Sequence, residues 1–493
     1  GITGFVLAGI DPYDYSGQVH TAGDLNGDGY SDLIIGAYKA DPRGNSAAGE
    51  TYLVFGKSSE FAPNISLETL DGNDGMILEG IDADDYSGRS VSAAGDINGD
   101  GYDDILIGAP AADPGGNESA GETYIVFGKR DNFAARVELD ALDGTDGLVL
   151  EGVAPYDGSG RSVSTAGDFN GDGYDDLLIG AYKADPEEKS AAGETYLVFG
   201  KSGPFDASIN LGTLDGKNGL VFKGIDSGDW SGYTVSTAGD LNGDGYDDIL
   251  IGAMTATPNS RQKAGEAYIV FGKQGNFDAI MELSSLDGTN GFILEGINAW
   301  DYSGCEVSAA GDVNGDGYDD ILIGAMHANP GGNNKAGETY LVYGKQNGFS
   351  AIFDLASLDG TNGFVLEGIQ SNDLSGQSLA AVGDINGDSY ADILIGAMHA
   401  SPGGNDKAGE TYVYFGRDFT GNSTILSKGS HPVRTDEMIT VRSESGASDS
   451  EILNDRCVSE TRLSPPEKVL EARRGNASDL MITGPNLDGP GRK

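Results

Sequence analysis

Short apolar runs recur along the first 420 residues, each bounded by Gly, Asp, Asn or Pro. The second occurrence shows the pattern. Gly75–Gly80 reads GMILEG, Ser90–Gly95 reads SVSAAG, Asp104–Ala109 reads DILIGA and Thr123–Phe127 reads TYIVF. Such runs, rich in Val, Ile, Leu, Tyr and Phe, predict β-strands. No segment sustains a 3.6-residue apolar period over two turns, and only the linker FAARVELDALDG suits a helical turn. The strands come in a strict series. The string Asp-x-Asn-Gly-Asp-(Gly/Ser)-Tyr-x-Asp begins at Asp24, Asp96, Asp168, Asp240, Asp312 and Asp384, always 72 residues apart. Four strands in each of six consecutive units predict a β-propeller of six four-stranded blades. The chain begins inside a unit, at Gly4-Phe-Val-Leu-Ala-Gly9, and leaves the pattern after Thr411-Tyr-Val-Tyr-Phe415. This phase predicts that the N-terminal strand completes the last blade and closes the ring, removing exposed edges.

Residues 421–493 lack the repeat and predict a low-order tail, so two regions are expected, 1–420 and 421–493. Charge separates them as well. Of 30 Lys/Arg and 78 Asp/Glu, the tail holds 10 and 11, so residues 1–420 carry nearly all of the net charge of −48. That balance excludes a nucleic-acid binder that neutralises phosphates and argues against an anionic membrane surface. No apolar run approaches the ~18 residues of a membrane span. Cys305 and Cys457 lie in regions of different character, and no disulfide between them is expected. The chain opens at Gly1 with no signal peptide visible, which fits either a removed leader or a fragment.

The acidic loops are the main candidate chemistry. In the second copy, positions 1, 3, 5 and 9 are Asp96, Asn98, Asp100 and Asp104, and Tyr102 at position 7 offers its carbonyl. Three carboxylates among hard oxygen donors suit Ca2+ better than a soft metal or Mg2+. The other sets are Asp24, Asn26, Asp28, Tyr30 and Asp32; Asp168, Asn170, Asp172, Tyr174 and Asp176; Asp240, Asn242, Asp244, Tyr246 and Asp248; Asp312, Asn314, Asp316, Tyr318 and Asp320; and Asp384, Asn386, Asp388, Tyr390 and Asp392. Up to six Ca2+ ions are expected. These are not EF-hands, because position 12 is Ile and a strand follows. Asp, Asn and Gly also favour plain turns, but turns do not require three carboxylates in nine residues, six times over. Ser389 replaces the position-6 Gly, which makes Asp384–Asp392 the weakest expected site. In the first unit SGQVHTAGD is one residue shorter than SGRSVSAAGD, so a bulge or misalignment is expected before Asp24.

The stretch VSAAGDINGDGYDDILIGAP resembles the core of the FG-GAP repeat, as in integrin alpha-chain propellers and their bacterial relatives. The resemblance covers residues 4–417. It implies that the acidic loops join the first two strands of a blade, hold structural calcium, and lie opposite a ligand face. The integrin ring has seven blades, against six units here. By the same analogy the ligand face carries the loops entering each first strand, DPYDYSG, DADDYSG, APYDGSG, DSGDWSG, NAWDYSG and QSNDLSG. These bring Tyr15, Tyr86, Tyr156, Trp230, Trp300 and Tyr302 beside Asp14, Asp85, Asp157, Asp229 and Asp301. Rings with neighbouring carboxylates suit a sugar or a Lys/Arg side chain; the alternative is packing between blades. His327 and His399 share one position in adjacent units and read as solvated loop residues, as Cys305 reads as incidental. Together these features predict a calcium-binding, non-enzymatic adhesion or recognition module, extracellular or on the cell surface, with a protein or glycan ligand. The alternatives are a propeller-based polysaccharide lyase or hydrolase and a structural surface-layer component.

Overall fold

A computed structural model describes residues 4–130 and 133–417, together with the backbone of four short strands beyond them. The chain divides into two compact units, one of Asp11–Gly56 with Leu70–Ser443, the other of Gly1–Ile10, Lys57–Thr69 and Glu444–Lys493.

The larger unit holds six blades. The second blade consists of Ser90–Gly95, Asp104–Ala109, Glu122–Val126 and Gly147–Glu151, paired antiparallel in that order. The first strands of all six blades contribute to the wall of one central cavity of about 460 Å3. The second strands are buried on both faces, which is why they read as unbroken Ile/Leu runs. From the first blade to the sixth, one face of each blade packs on the opposite face of the next. Leu25, Ile34, Leu53 and Leu78 of the first blade meet Val91, Ile107, Tyr124 and Val126 of the second in a single apolar cluster. The approach is close enough to require glycine. A Cβ on Gly108 would lie 2.1 Å from the carbonyl oxygen of Gly160 in the following blade.

Several expectations are corrected. The blades are uneven, since five of the sheets carry a fifth strand and the sixth has four. In four blades the extra strand is a linker segment that runs parallel to the fourth strand of the preceding blade, as Arg136–Glu138 beside Gly75–Glu79 and Ser208–Asn210 beside Gly147–Glu151, and in the fifth blade it is Val433–Arg434. The linker expected to hold a helical turn therefore forms Arg136–Glu138 and then a 3-10 turn at Leu139–Ala141.

The N-terminal strand does not close the ring. Val6–Ala8 pairs in parallel with Asn64–Ser66, and both belong to the smaller unit. The fourth place in the last blade is filled by Ile439–Arg442, antiparallel to Glu410–Tyr414. The junction of the sixth and first blades is correspondingly open. Val19 is 53% exposed where its counterpart Val91 is 2%, and Ile385 is 55% exposed where Leu25 is fully buried.

The expected low-order tail, 421–493, falls mostly outside the described residues. Those described within it are strands, at Val433–Arg434, Ile439–Arg442, Glu471–Gly475 and Asp479–Thr483. The bulge expected before Asp24 is present, between Thr21 and Gly23. It recurs in the other five blades, so it belongs to the repeat rather than to the missing residue.

Candidate functional site: six acidic loops and a cationic mouth

Each first strand runs from an entering loop to an acidic loop, so the two loop sets sit at opposite ends of the same strands. The acidic loops fold by using their own carboxylates. In the second copy Asp96 accepts the N–H of Asp100 at 3.0 Å through Oδ1 and that of Gly101 at 2.9 Å through Oδ2. Asn98 accepts the Asp100 N–H at 2.8 Å, and Asp100 accepts the N–H of Tyr102 at 3.1 Å. Asp104 is fully buried and accepts Ile97 N–H at 3.2 Å and Gly128 N–H at 2.8 Å, which ties the loop to the end of the third strand.

Every copy repeats this scheme at positions 1, 5 and 9. Asp24, Asp168, Asp240, Asp312 and Asp384 receive the N–H groups of Asp28, Asp172, Asp244, Asp316 and Asp388 at 2.9 to 3.0 Å. Asp32, Asp176, Asp248, Asp320 and Asp392 are fully buried. Ser389 adopts left-handed backbone, with φ of 77°. Burial pushes the carboxyls of Asp104, Asp176, Asp248 and Asp320 up to about 8. The negative charges at positions 1 and 5 push in the same direction.

Successive loops are linked. Asp103, Asp175, Asp247 and Asp319 at position 8 each accept the N–H of the position-1 Asp in the preceding blade, at 2.6 to 3.0 Å. The Tyr174 ring covers Gly99 so closely that a Cβ there would meet it at 2.3 Å. Tyr102, Tyr174, Tyr246, Tyr318 and Tyr390 therefore pack on the preceding loop and offer only their backbone to their own, whereas Tyr30 of the first loop is exposed.

Among the described residues, no group of three or more His, Cys, Asp or Glu side chains is placed to hold a metal ion. The inward hydrogen bonds account for this: carboxylate oxygens at positions 1 and 5 are turned toward loop N–H groups. The donor set nevertheless fits a hard cation. The carboxylates at positions 1 and 5 lie close enough to raise the proton affinity of the one at position 9, and a carboxylate oxygen accepts more than one partner.

The entering loops differ from expectation. Tyr15, Tyr86, Trp230 and Tyr302 occupy left-handed backbone just before Ser-Gly, with φ between 56° and 59°. Tyr156 and Trp300 lie three residues before the Ser of the Ser-Gly step, with φ of 70° and 71°, and are exposed, as Tyr15 is. Tyr86, Trp230 and Tyr302 are half-buried. Trp230 packs on Tyr182 and Tyr233 at 5.6 and 6.1 Å, and Tyr302 meets the His327 ring at 4.9 Å.

The carboxylates beside these rings do not face a ligand. Asp14, Asp85, Asp157, Asp229 and Asp301 are buried. Asp14, Asp85 and Asp229 accept the N–H of the residue three before them, stapling the loop. Burial pushes Asp85 and Asp157 up to about 7 and Asp229 up to about 6. Their neighbours Glu122, Glu194 and Glu266 lie on the third strands and accept hydrogen bonds from Tyr124, Tyr196 and Tyr268 at 2.5 to 2.8 Å. These acids escaped the sequence reading, although Glu-x-Tyr recurs in all six units.

The charges that do accompany the rings are cations. Lys39 lies over Tyr15, Arg89 over Tyr38, Arg161 over Tyr233, and Lys263 over Trp300. Cys305 is a buried free thiol, 3.4 Å from the Gly324 carbonyl oxygen, and Cys457 lies outside the described residues.

The FG-GAP repeat family matches residues 15–54, 87–126, 159–198, 231–270, 306–342 and 375–414. The chain carries six FG-GAP repeats. Its relatives fall into two groups. Integrin alpha-5 of Xenopus laevis is 29% identical over 49% of this chain and 20% of its own length. Phosphatidylinositol-glycan-specific phospholipase D of Bos taurus is 34% identical over 34% of this chain and 19% of its own. The Dictyostelium discoideum protein of that name is 27% identical over 64% of this chain and 32% of its own. The chain thus spans a fifth to a third of the length of these relatives. The integrin-like propeller expected from the sequence is present. The exclusion of enzymatic activity does not stand, because FG-GAP relatives include proteins named as phospholipases. Among the described residues no helix is long and apolar enough to cross a membrane.

Proposed function

We propose that the FG-GAP propeller is an extracellular or cell-surface recognition module stiffened by calcium. The observation that carries this reading is the sixfold recurrence of three close carboxylates in one nine-residue loop, each loop bonded to the end of its blade's third strand. Asp96, Asn98, Asp100, Asp104 and the Tyr102 carbonyl would hold one ion, and the equivalent residues the others. The cation would offset the mutual repulsion of the acids and lock each first strand to its second. Extracellular modules bind Ca2+ at about 10⁻⁴–10⁻³ M, which makes extracellular calcium the relevant supply. Recognition falls to the opposite end of the first strands, where Tyr15, Tyr86, Tyr156, Trp230, Trp300 and Tyr302 gather. A glycan and protein binding screen with and without chelator tests the reading; binding that survives substitution of Trp230, Trp300 and Tyr302 would place the ligand elsewhere.

A second reading follows from the named relatives. The propeller would serve as one module of a phospholipase-like enzyme, as the similarity to the bovine protein suggests. Turnover of a glycosylated phosphatidylinositol by this chain, abolished by a single carboxylate or histidine substitution, would favour it.

A further inference from the structure

The sixfold symmetry breaks at the residue that follows each Ser-Gly at the head of the first strand. That position is Arg89, Arg161, Tyr233, Cys305 and Gln377 in blades two to six. The heads of these strands touch in sequence. Ser90 Oγ accepts the Val163 N–H at 2.9 Å, Ser162 Oγ accepts the Val235 N–H at 3.0 Å, and Thr234 Oγ1 reaches the Gly304 carbonyl. Arg89 and Arg161 therefore stand on adjacent blades at the heads of the first strands, a mouth at the opposite end from the Gly95, Asp103, Gly167 and Asp175 lining of the central cavity.

Both guanidiniums are half-buried, and neither forms an ion pair among the described residues. In a chain of net charge −48 that is unusual: Arg43, Arg136 and Arg261 each pair with a carboxylate. The mouth arginines are held by rings instead. Arg89 lies 5.2 Å from the Tyr38 centroid. Arg161 lies 4.6 Å from that of Tyr233 and donates to its hydroxyl at 3.0 Å. Burial lowers the proton affinity of Arg89, and the charge of Arg161 lowers it further, so the two repel. Glu306 in blade five feels both cations but lies in no ion pair with either among the described residues. Two half-buried guanidiniums with no ion pair among the described residues are costly to keep, and their forks match planar or tetrahedral oxyanions.

Two further features extend the site beyond a bare anion hole. Trp230, Tyr182 and Tyr233 form a ring cluster beside Arg161, with Trp230 and Tyr233 within 17° of parallel. Gln377, at the same strand position as the arginines, has a buried side-chain carbonyl oxygen with no donor among the described residues. A sugar supplies the hydroxyl that this oxygen lacks and the ring face that stacks on aromatics.

We infer that the mouth binds an anionic glycan, its carboxylate or sulfate clamped between Arg89 and Arg161 and its ring against Trp230. This rests on the recognition reading above for the face of the propeller used, and it reverses the charge expected of the ligand. The buried Asp residues of the entering loops do not select a cation; the arginines select an anion.

The test uses the full chain in 1 mM calcium chloride. Titration calorimetry and Trp fluorescence follow trigalacturonate, its full methyl ester, a dextran sulfate fragment and hexa-aspartate. The acid or the sulfated sugar is expected to bind, the tighter of the two naming the anionic group. R89Q and R161Q are each expected to weaken it about tenfold, and the double variant to abolish it, with K217Q unchanged. Thermal melts check folding, and R161K, which keeps the charge but loses the fork, is expected to weaken binding if R161Q does not fold. Equal binding of the ester, unchanged affinity in the double variant, or tighter binding of hexa-aspartate than of either acidic sugar overturns the inference. Neutral glycan binding that ignores both arginines would sink this inference and leave the recognition reading standing, whereas no glycan or peptide binding at all sinks both.

Discussion

Replacing Asp157 by Asn separates a buried acid that strains the fold from one that supports it. Asp157 is buried at the base of the third entering loop, beside Glu194. Burial, and then the Glu194 charge, raise its carboxyl from 3.8 to about 7. An acid raised in the folded state contributes its full stability below the unfolded value of 3.8 and loses it as pH climbs through about 7. The loss between those limits is at most about 4 kcal/mol, at 1.36 kcal/mol per pH unit. It is an upper bound because Tyr156 beside it is open to water. Urea unfolding in EDTA, at pH 4.5 and pH 8, measures the effect without calcium. D157N is expected to match or fall below the wild type at pH 4.5 and to exceed it at pH 8 by about 1–4 kcal/mol. A D157N deficit of equal size at both pH values would refute the reasoning, because it would mean that an ionised Asp157 holds the loop together. Asp85, Glu266 and Glu338, each pushed up to about 7, give the wild type the same sign of pH dependence.

Three further substitutions probe the packing and the loops. G108A places a methyl against the Gly160 carbonyl oxygen, and a loss of about 1–3 kcal/mol in urea unfolding is expected; no loss would mean the blades are not in close contact there. S389G removes a left-handed backbone at a non-glycine residue. It should stabilise the protein by about 1 kcal/mol and tighten calcium binding to the sixth loop, read by competition with a chromophoric chelator. D175A deletes the acceptor of the Asp96 N–H and should cost about 1–3 kcal/mol. Hydrogen exchange at Asp96 should rise with it, and unchanged exchange would remove the proposed link between successive loops.

The architecture was legible wherever one unit carries its own instructions. The strands Ser90–Gly95 and Asp104–Ala109 lie where alternating glycine and apolar residues place them. What the sequence hid depends on distant partners. Arg136–Glu138 is only three residues long and becomes a strand because the edge of Gly75–Glu79, far back in the chain, is there to pair with. Gly4–Gly9 matches the repeat as well as Gly75–Gly80 does. Its pairing with Asn64–Ser66, and the arrival of Ile439–Arg442 at the last blade, are decided by tertiary competition that no local pattern records. Among site residues, the six acidic loops were read from spacing alone. The entering-loop carboxylates were misjudged because burial is not written in residue type, and Asp85 beside exposed neighbours looks like a surface acid. The cationic mouth was hidden for a simpler reason. Arg89 and Arg161 sit at a position where the repeats disagree, and attention to what repeats passes over what does not.

Calcium binding by the acidic loops tests the central claim most directly. Equilibrium dialysis with radioactive calcium, paired with calorimetric melting of the same samples in EDTA and in 1 mM calcium chloride, gives both occupancy and consequence. Five or six ions per chain and a higher melting temperature with calcium are predicted, with the Asp384–Asp392 loop filling last. Identical melting in the two buffers, with fewer than one ion bound per chain, would contradict the account.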